Sequence, residues 1–409
     1  MVTLLRERPL VLVGWALAAA LVYPFLGLDL IRALASPIWQ VGDGTMLGRD
    51  FVNVYTAGHM VVGGPLRDIY DIQAYQAYQQ SLFGGAVLGH NYSYSPVSFF
   101  YVWLFAPFPY LVALILWLVV TGGAFLLAAR PWLRDARLPA WLALVLPASL
   151  MNIWAGHYGF FIGALWLAAW RLLERRPRLA GLLVGLMIVK PHLAVLMPIV
   201  LARRGAWTAF VFAALTSAGL VLASGLIFGW AYWAAYVGDT LFAQAAMIGD
   251  TGQFFLRMMP TAAPSLLLAG LPPWAAWSVQ AAAALAAVAA LLWFMPKEPG
   301  RAGLATACAT FLVLPYAFVY DMTAVSLAAA LLLGRPGAAL RPLWRAVLML
   351  AFLLPVMAVS ANNAGIPLGP PLVAFLLVLT LRPGAASSRT SDDSEIAEGA
   401  ALEPIRPPG

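Results

Sequence analysis

Long apolar segments separated by short polar ones run through most of the chain. An α-helix rises about 1.5 Å per residue, so about 20 apolar residues cross the ~30 Å hydrocarbon core of a bilayer. Some segments are shorter, and those beside Lys190 and Asp321 are predicted to be broken helices that line a cavity. The stretch from Tyr94 to Phe108 fits either a short span or a re-entrant segment. We predict twelve spans, near residues 9–28, 110–129, 139–153, 159–173, 178–189, 191–202, 205–228, 273–295, 303–320, 322–334, 343–360 and 367–381.

The composition agrees with a protein that is surrounded by lipid. Of the 409 residues, 63% are hydrophobic and 10% are charged, whereas soluble domains carry about 25% charged residues. We therefore predict an all-α polytopic membrane domain over residues 1–382, with about 10–13 transmembrane helices. The first apolar stretch, from Pro9 to Leu28, lacks a small-residue cleavage site and is interpreted as a signal anchor. The single cysteine, Cys308, is predicted to pack in the core.

The basic residues indicate the orientation of the spans. Loops rich in Lys and Arg stay in the cytoplasm, and with the N-terminus inside, 19 of the 24 basic residues fall on the inner side. Both termini are therefore predicted to be cytoplasmic. The same asymmetry accounts for the net charge of +7 without a nucleic-acid partner. The five basic residues on the outer side are Arg32, Arg49, Arg67, Lys190 and Arg257.

Two outer segments are long, residues 29–94 and the stretch from about Gly229 to Pro272. The first is predicted to contain a helix from Phe51 to Val62 and an amphipathic helix from Asp71 to Leu82. We expect both to be interfacial helices that lie on the outer membrane surface. The polar tail, residues 383–409, is rich in Ser, Ala and Pro and is predicted to be disordered in the cytoplasm.

Polar side chains recur on the outer side of the predicted spans. An ionisable group at membrane depth costs ~2.5–3.5 kcal/mol or more, and no structural need explains why several recur on one side. We therefore predict one outward-facing cavity lined by these groups. The candidates are Asp50, Tyr94, Asn152, His157, Tyr158, Lys190, His192, Tyr320, Asp321, Asn362 and Asn363.

Each charged candidate also has a purely structural interpretation. Asp50 could cap the Phe51–Val62 helix, and Asp321 could cap the short helix after it. Lys190 could extend its amine to the membrane interface. However, Pro191 directly follows Lys190 and breaks the helix there, which favours a binding role for the lysine.

Six motifs share their order and spacing with one known family. They resemble motifs of glycosyltransferase family 87, bacterial membrane enzymes of the GT-C fold that use polyprenyl-phosphate sugars, and the resemblance covers about residues 9–380. The motifs are Gly48–His59, Tyr70–Asp71, Asn91–Pro96, Asn152–Phe160, Ala180–His192 and Pro315–Asp321.

The chain departs from the family motifs at several positions. His157 and Tyr158 stand where the family has Gln and Asn, His192 replaces a Gln, and Ser95 replaces a Pro. Imidazole keeps one hydrogen-bond donor and one acceptor. Both histidines could also be satisfied polar residues at helix ends. Without carboxylate partners they predict no metal site, and no cofactor is expected.

The resemblance implies transfer of a hexosyl group, with mannosyl as the expected one, from a polyprenyl phosphate to an acceptor hydroxyl on the extracytoplasmic face. The acceptor would be a glycolipid, a polysaccharide or a protein, and the enzyme would lie in the bacterial cytoplasmic membrane. Asp50 is the expected general base of an inverting reaction. Lys190, assisted by Arg257 or Arg49, is expected to bind the donor phosphate. The pocket residues would be Tyr94, Asn152, His157, Tyr158, His192, Tyr320 and Asp321.

Two other functions remain open from the sequence. A transporter or lipid flippase would also have many spans and broken helices, but we would expect paired halves of related hydropathy, and none is evident. A scaffold, or a family member without activity, is supported only by the two histidine substitutions.

Overall fold

The computed structural model describes residues 9–42, 44–84, 87–335 and 341–382. The tail predicted to be disordered, residues 383–409, lies outside these ranges. The described chain is almost entirely helical and contains one small antiparallel pair of strands, β1 (Gln40–Gly42) and β2 (Thr45–Met46). The α-helices are α1 (Pro9–Ala35), α2 (Phe51–Val62), α3 (Ile72–Phe83), α4 (Phe99–Val102), α5 (Tyr110–Asp135), α6 (Leu142–Val145), α7 (Pro147–Ala155), α8 (Gly159–Leu172), α9 (Pro177–Leu186), α10 (Met197–Arg203), α11 (Trp207–Phe228), α12 (Trp230–Ala235), α13 (Leu241–Met247), α14 (Ala262–Leu268), α15 (Pro273–Phe294), α16 (Pro299–Val313), α17 (Thr323–Leu333), α18 (Pro342–Asn363) and α19 (Gly369–Leu381).

Five helices, α1, α5, α11, α15 and α18, have 22 to 27 residues and are long and apolar enough to cross a membrane. In α11 only 17% of the most apolar window is buried inside the protein. Lipid has to cover the remaining apolar surface, because water would not tolerate so large an exposed patch. The fold is therefore that of an all-α polytopic membrane protein, as predicted.

Most of the shorter predicted spans are helices of 10 to 17 residues, whereas the span near residues 139–153 consists of two shorter helices, α6 and α7. The breaks predicted beside Lys190 and Asp321 are both present. Lys190 has φ −131° and ψ 71° between two 3₁₀ turns, Met187–Val189 and Pro191–Ala194. The ring of Pro191 excludes the helical conformation from the residue before it, which explains this break.

The segment from Pro96 to Phe105 settles the question that the sequence left open for Tyr94–Phe108. It is one α-helical turn, α4, between two 3₁₀ turns, Pro96–Ser98 and Trp103–Phe105. Ten residues rise only about 15–20 Å. This segment is therefore too short to cross a bilayer and agrees with a re-entrant element.

The two helices of the first outer loop differ in their surroundings. In α2 the residues Phe51 to Gly58 are all buried, so this helix packs inside the protein rather than resting one face on a membrane surface. It lies against α4, where a Cβ on Gly58 would come within 2.5 Å of the Val102 carbonyl oxygen. Helix α3 has the predicted amphipathic character, with Tyr75, Gln79 and Phe83 buried. The N-cap residue of α3 is Asp71, whose carboxylate accepts a hydrogen bond of 2.8 Å from the Ala74 N–H.

Candidate active site on the outer face

The turn between α7 and α8 brings distant parts of the sequence together. Gly156 ends α7 with φ +62°, a conformation that favours glycine. A Cβ on Gly156 would lie 2.6 Å from the carbonyl oxygen of Gly48, and a Cβ on Gly159 would collide with the carbonyl oxygen of Tyr320. These two glycines therefore let the turn contact the first outer loop on one side and the Tyr320 segment on the other.

Asp50, which precedes α2, contacts the turn between α7 and α8. Its backbone N–H donates a 2.9 Å hydrogen bond to the Ala155 carbonyl. The side chain makes no capping hydrogen bond to α2, and the residue has helical rather than extended dihedral angles. The structural interpretation of Asp50 as a helix cap is thus wrong. The carboxylate instead lies 3.6 Å from Nε2 of His90 and is 24% exposed.

Burial and the groups around Asp50 shift the pKa of its carboxyl in opposite directions. Burial raises the pKa of Asp50, while His90, the hydroxyl of Tyr320 and the cation of Lys190 hold it down. Burial lowers the pKa of His90, and the Asp50 carboxylate opposes that effect. Nδ1 of His90 is 3.1 Å from the carbonyl of Leu88, which can only accept, so Nδ1 donates there. The ring lowers the pKa of Asp50 in its protonated form, in which Nε2 also carries a hydrogen and faces the carboxylate. The net effect is a carboxylate that binds a proton more readily than an ordinary aspartate does.

Lys190 and Asp321 form a buried ion pair. The Lys190 Nζ donates to both carboxylate oxygens at 2.8 Å, and the two side chains are 6% and 0% exposed. This burial rules out a lysine that reaches the membrane interface. Asp321 does not cap α17 either, because the side chain at the N-cap belongs to Met322 and the carboxylate is taken by the lysine. An ion pair so deeply buried is costly to form, so it is weak evidence of a stabilising contact.

His157 connects the ion pair to the first outer loop. Its Nε2 is 2.8 Å from the hydroxyl of Tyr94, and its Nδ1 is 4.0 Å from Oδ1 of Asp321. The imidazole stacks on the ring of Tyr320 with centroids 4.0 Å apart. The hydroxyl of Ser95 donates to the Ile188 carbonyl at 3.1 Å. The loop motif, the turn motif and the two helix breaks therefore form one cluster.

Several buried polar atoms near this cluster have no hydrogen-bond partner in the described part of the chain. They are both amide atoms of Asn152, Nδ1 of His157 and Nε2 of His192. A buried polar group without a partner costs about 1–3 kcal/mol. Such groups can be satisfied by the hydroxyls of a bound sugar. Within the described ranges no group of three His, Cys, Asp or Glu residues is arranged to hold a metal ion.

Two predicted site residues, Arg49 and Arg257, contact partners outside the cluster, and a third, Tyr158, packs against it. Arg49 pairs with Asp29 at 3.0 Å and lies over the ring of Trp154 at 4.1 Å. Arg257 donates to the backbone carbonyls of Gly252 and Gln253. Tyr158 is fully buried, with its ring 4.3 Å from that of Tyr94 and 5.0 Å from that of Trp117. Tyr158 supports the wall of the cluster by packing, whereas the contacts of the two arginines do not join them to Lys190.

Sequence reasoning missed two partners of these groups, His90 and Asp29. His90 precedes the Asn91–Pro96 motif directly, and it is one of only four histidines. The rarity of histidine and the position of His90 beside a motif were the features of the sequence that could have indicated a role for it. Its contact with Asp50 spans 40 positions of the chain, so only the folded loop shows that the two meet.

One comparison with known proteins identifies a family for the chain. The model for glycosyltransferase family 87 matches residues 92–315, more than half of the chain. The matched region includes Tyr94, His157 and Lys190, while Asp50 and Asp321 lie outside its two ends. No curated protein and no solved structure matches the chain.

Proposed function

The chain belongs to glycosyltransferase family 87 and is a membrane glycosyltransferase; from this premise we propose that it transfers a hexosyl group from a polyprenyl-phosphate sugar to an acceptor hydroxyl, with Asp50 as general base. The observation that carries the proposal is the Asp50 carboxylate. It is not used as a helix cap, its pKa is raised by burial, and it lies next to the cluster of Lys190, Asp321 and His157.

The reaction follows from these groups. The acceptor hydroxyl oxygen forms a bond to the anomeric carbon, and the bond from that carbon to the donor phosphate oxygen breaks with its electron pair leaving on the phosphate. The acceptor proton passes to the Asp50 carboxylate. A raised pKa makes the Asp50 carboxylate a better proton acceptor than an ordinary aspartate. One displacement of this kind inverts the anomeric configuration.

Lys190 is proposed to bind the departing phosphate. An ammonium has three N–H donors, and two of them go to Asp321. The third is free for a phosphate oxygen, where it would stabilise the charge that develops as the bond breaks. Assistance from Arg257 would require it to leave two backbone carbonyls, and assistance from Arg49 would require it to leave Asp29.

An apolar groove beside Lys190 supports binding of the prenyl chain. It has a volume of about 240 Å³ and is lined by apolar side chains of α9, α10, α11 and the break between them, among them Ile188, Pro191 and Phe210. This position would place the lipid tail against the spans and the phosphate at the helix break. We further propose that residues 1–382 form the catalytic domain, that both termini are cytoplasmic, and that the site faces the outside of a bacterial cytoplasmic membrane.

The test is a transfer assay with purified protein in lipid, using radiolabelled polyprenyl-phosphate mannose and a crude glycolipid extract. Asp50→Asn should lose transfer by about 10²–10⁴-fold, the usual contribution of a positioned base. Asp71→Asn is the matched control, because Asp71 lies in the same loop and Asn preserves its capping role. Label that moves equally well with Asp50→Asn would remove Asp50 as the base. Donor lipid that crosses the bilayer without transfer would point to a flippase.

A further inference from the structure

A cavity of about 590 Å³ opens at the end of the helical bundle opposite the candidate active site. Helix α8 begins at Gly159 beside the site, and it reaches the cavity at Arg171. Helix α17 begins at Thr323, two residues after Asp321, and it reaches the cavity at Leu332. Over these stretches the two helices rise roughly 14–18 Å, so the cavity is a separate site about that far from the ion pair.

Positive charge predominates around the cavity. The charged residues that line it are Arg137, Arg171, Arg301, Arg335, Asp135 and Glu298. Asp135 is taken by Arg171, at 2.6 Å. Glu298 accepts a hydrogen bond from the backbone N–H of Arg301 at 3.2 Å and so caps α16. Among the described residues, Arg137, Arg301 and Arg335 form no ion pair with a carboxylate within 4.0 Å. Arg301 Nη2 donates to the backbone carbonyls of Thr380 and Arg382, which do not neutralise its charge, so positive charge remains in the wall for an anion.

Hydrogen-bond donors in the wall also lack acceptors. Trp132 lines the cavity and is only 7% exposed, yet its Nε1 has no partner, and Nε of Arg301 has none either. Buried N–H groups without acceptors cost free energy, so a ligand rich in acceptor oxygens would be favoured. Beyond the charges the wall is apolar, with Leu304, Ala328 and Leu331.

We propose that this cavity binds a phosphate group, carried by an anionic phospholipid of the adjacent leaflet or by a soluble phosphate compound. A phosphate supplies several acceptor oxygens and a negative charge to a wall that offers donors and cations. The arginine-rich end of the bundle is the end that the orientation rule assigns to the cytoplasm, where anionic lipids attract basic pockets between helices. The apolar wall suits an acyl chain next to the phosphate.

The test measures binding by thermal unfolding of the full-length protein in phosphatidylcholine nanodiscs. Phosphatidylglycerol, glycerol phosphate and inorganic phosphate are titrated separately. The variant is Arg137→Gln/Arg335→Gln, and the control is Arg130→Gln, an exposed arginine of α5 that does not line the cavity. We expect the double variant to bind about 25-fold more weakly, from about fivefold for each arginine, and the control to bind within twofold of the wild type.

The separate titrations identify the source of the phosphate. Stabilisation by phosphatidylglycerol but not by glycerol phosphate indicates a lipid ligand, and saturation by the soluble compounds indicates a cytoplasmic one. Equal binding by the wild type and the double variant, or no preference of any phosphate compound over phosphatidylcholine alone, would overturn the proposal. Native mass spectrometry of the wild type decides the question without any variant, because a phosphate ligand should remain bound in preference to phosphatidylcholine.

Discussion

Two ion pairs of nearly equal length lie at opposite ends of the bundle. At the end that holds the candidate active site Lys190 and Asp321 are 2.8 Å apart and almost fully buried, and at the arginine-rich end Arg171 and Asp135 are 2.6 Å apart with side chains 40% and 48% exposed. Water screens the second pair and can solvate either partner alone. It cannot do so for the first pair. Distance alone therefore says little about an ion pair, and burial separates a pair that water cannot screen from an ordinary surface one.

The largest expected effect comes from breaking each pair on one side. Lys190→Met leaves Asp321 buried without its cation and should lower the free energy of unfolding by about 3–5 kcal/mol. Asp135→Asn at the other end should cost less than about 1 kcal/mol. Unfolding in mixed micelles, followed by circular dichroism, measures both. Equal losses for the two variants would refute the contrast between the ends.

Replacing both members of the buried pair sharpens the comparison. Lys190→Met/Asp321→Leu removes both charges and should recover most of the stability that Lys190→Met loses, because no unpaired charge remains. The transfer activity should not recover, since the phosphate still lacks its cation. A double variant that regains wild-type transfer in the radiolabel assay would show that the pair is structural.

The next effect concerns the pH dependence of transfer. The acid limb of kcat/KM reports the pKa of the free enzyme's base. His90 holds the pKa of Asp50 down against the effect of burial, so His90→Gln should raise it further and move the acid limb to higher pH. Arg171→Gln, at the opposite end of the bundle, should leave the limb in place. If the acid limb of His90→Gln were unchanged or moved to lower pH, His90 would not lower the pKa of the general base.

The smallest effect is on stability at Asp50 itself. Burial raises the folded-state pKa of Asp50 above its ordinary value of 3.8, so the ionised carboxylate is less stable in the folded state than in the unfolded chain. This cost is absent below pH 3.8 and grows as the pH rises through the folded-state pKa. At pH 7 Asp50→Asn should therefore unfold at an equal or slightly higher temperature than the wild type, while losing transfer. If the variant were less stable than the wild type at pH 7, burial of the ionised Asp50 carboxylate would not be destabilising the folded state.

The sequence by itself determined the class of the fold, and it named several residues that the structure brings together, among them Tyr94, His157, Lys190 and Asp321. Every predicted span overlaps a helix, because helices that face lipid must be apolar whatever their neighbours are. The break at Lys190 follows from Pro191, a local steric rule. The motifs around Asp50, His157 and Asp321 also identified the family that the later match supports.

Only the tertiary structure decided which charges pair. The sequence assigned Lys190 to the donor phosphate, and the fold shows that Asp321, 131 positions away, already takes two of its three donors. It also gave Asp50 its neighbour His90 and buried α2, which the sequence placed at the membrane surface. The physical reason is that helix formation and lipid exposure depend on nearby residues, whereas the pairing and desolvation of charges depend on segments that meet only when the helices pack.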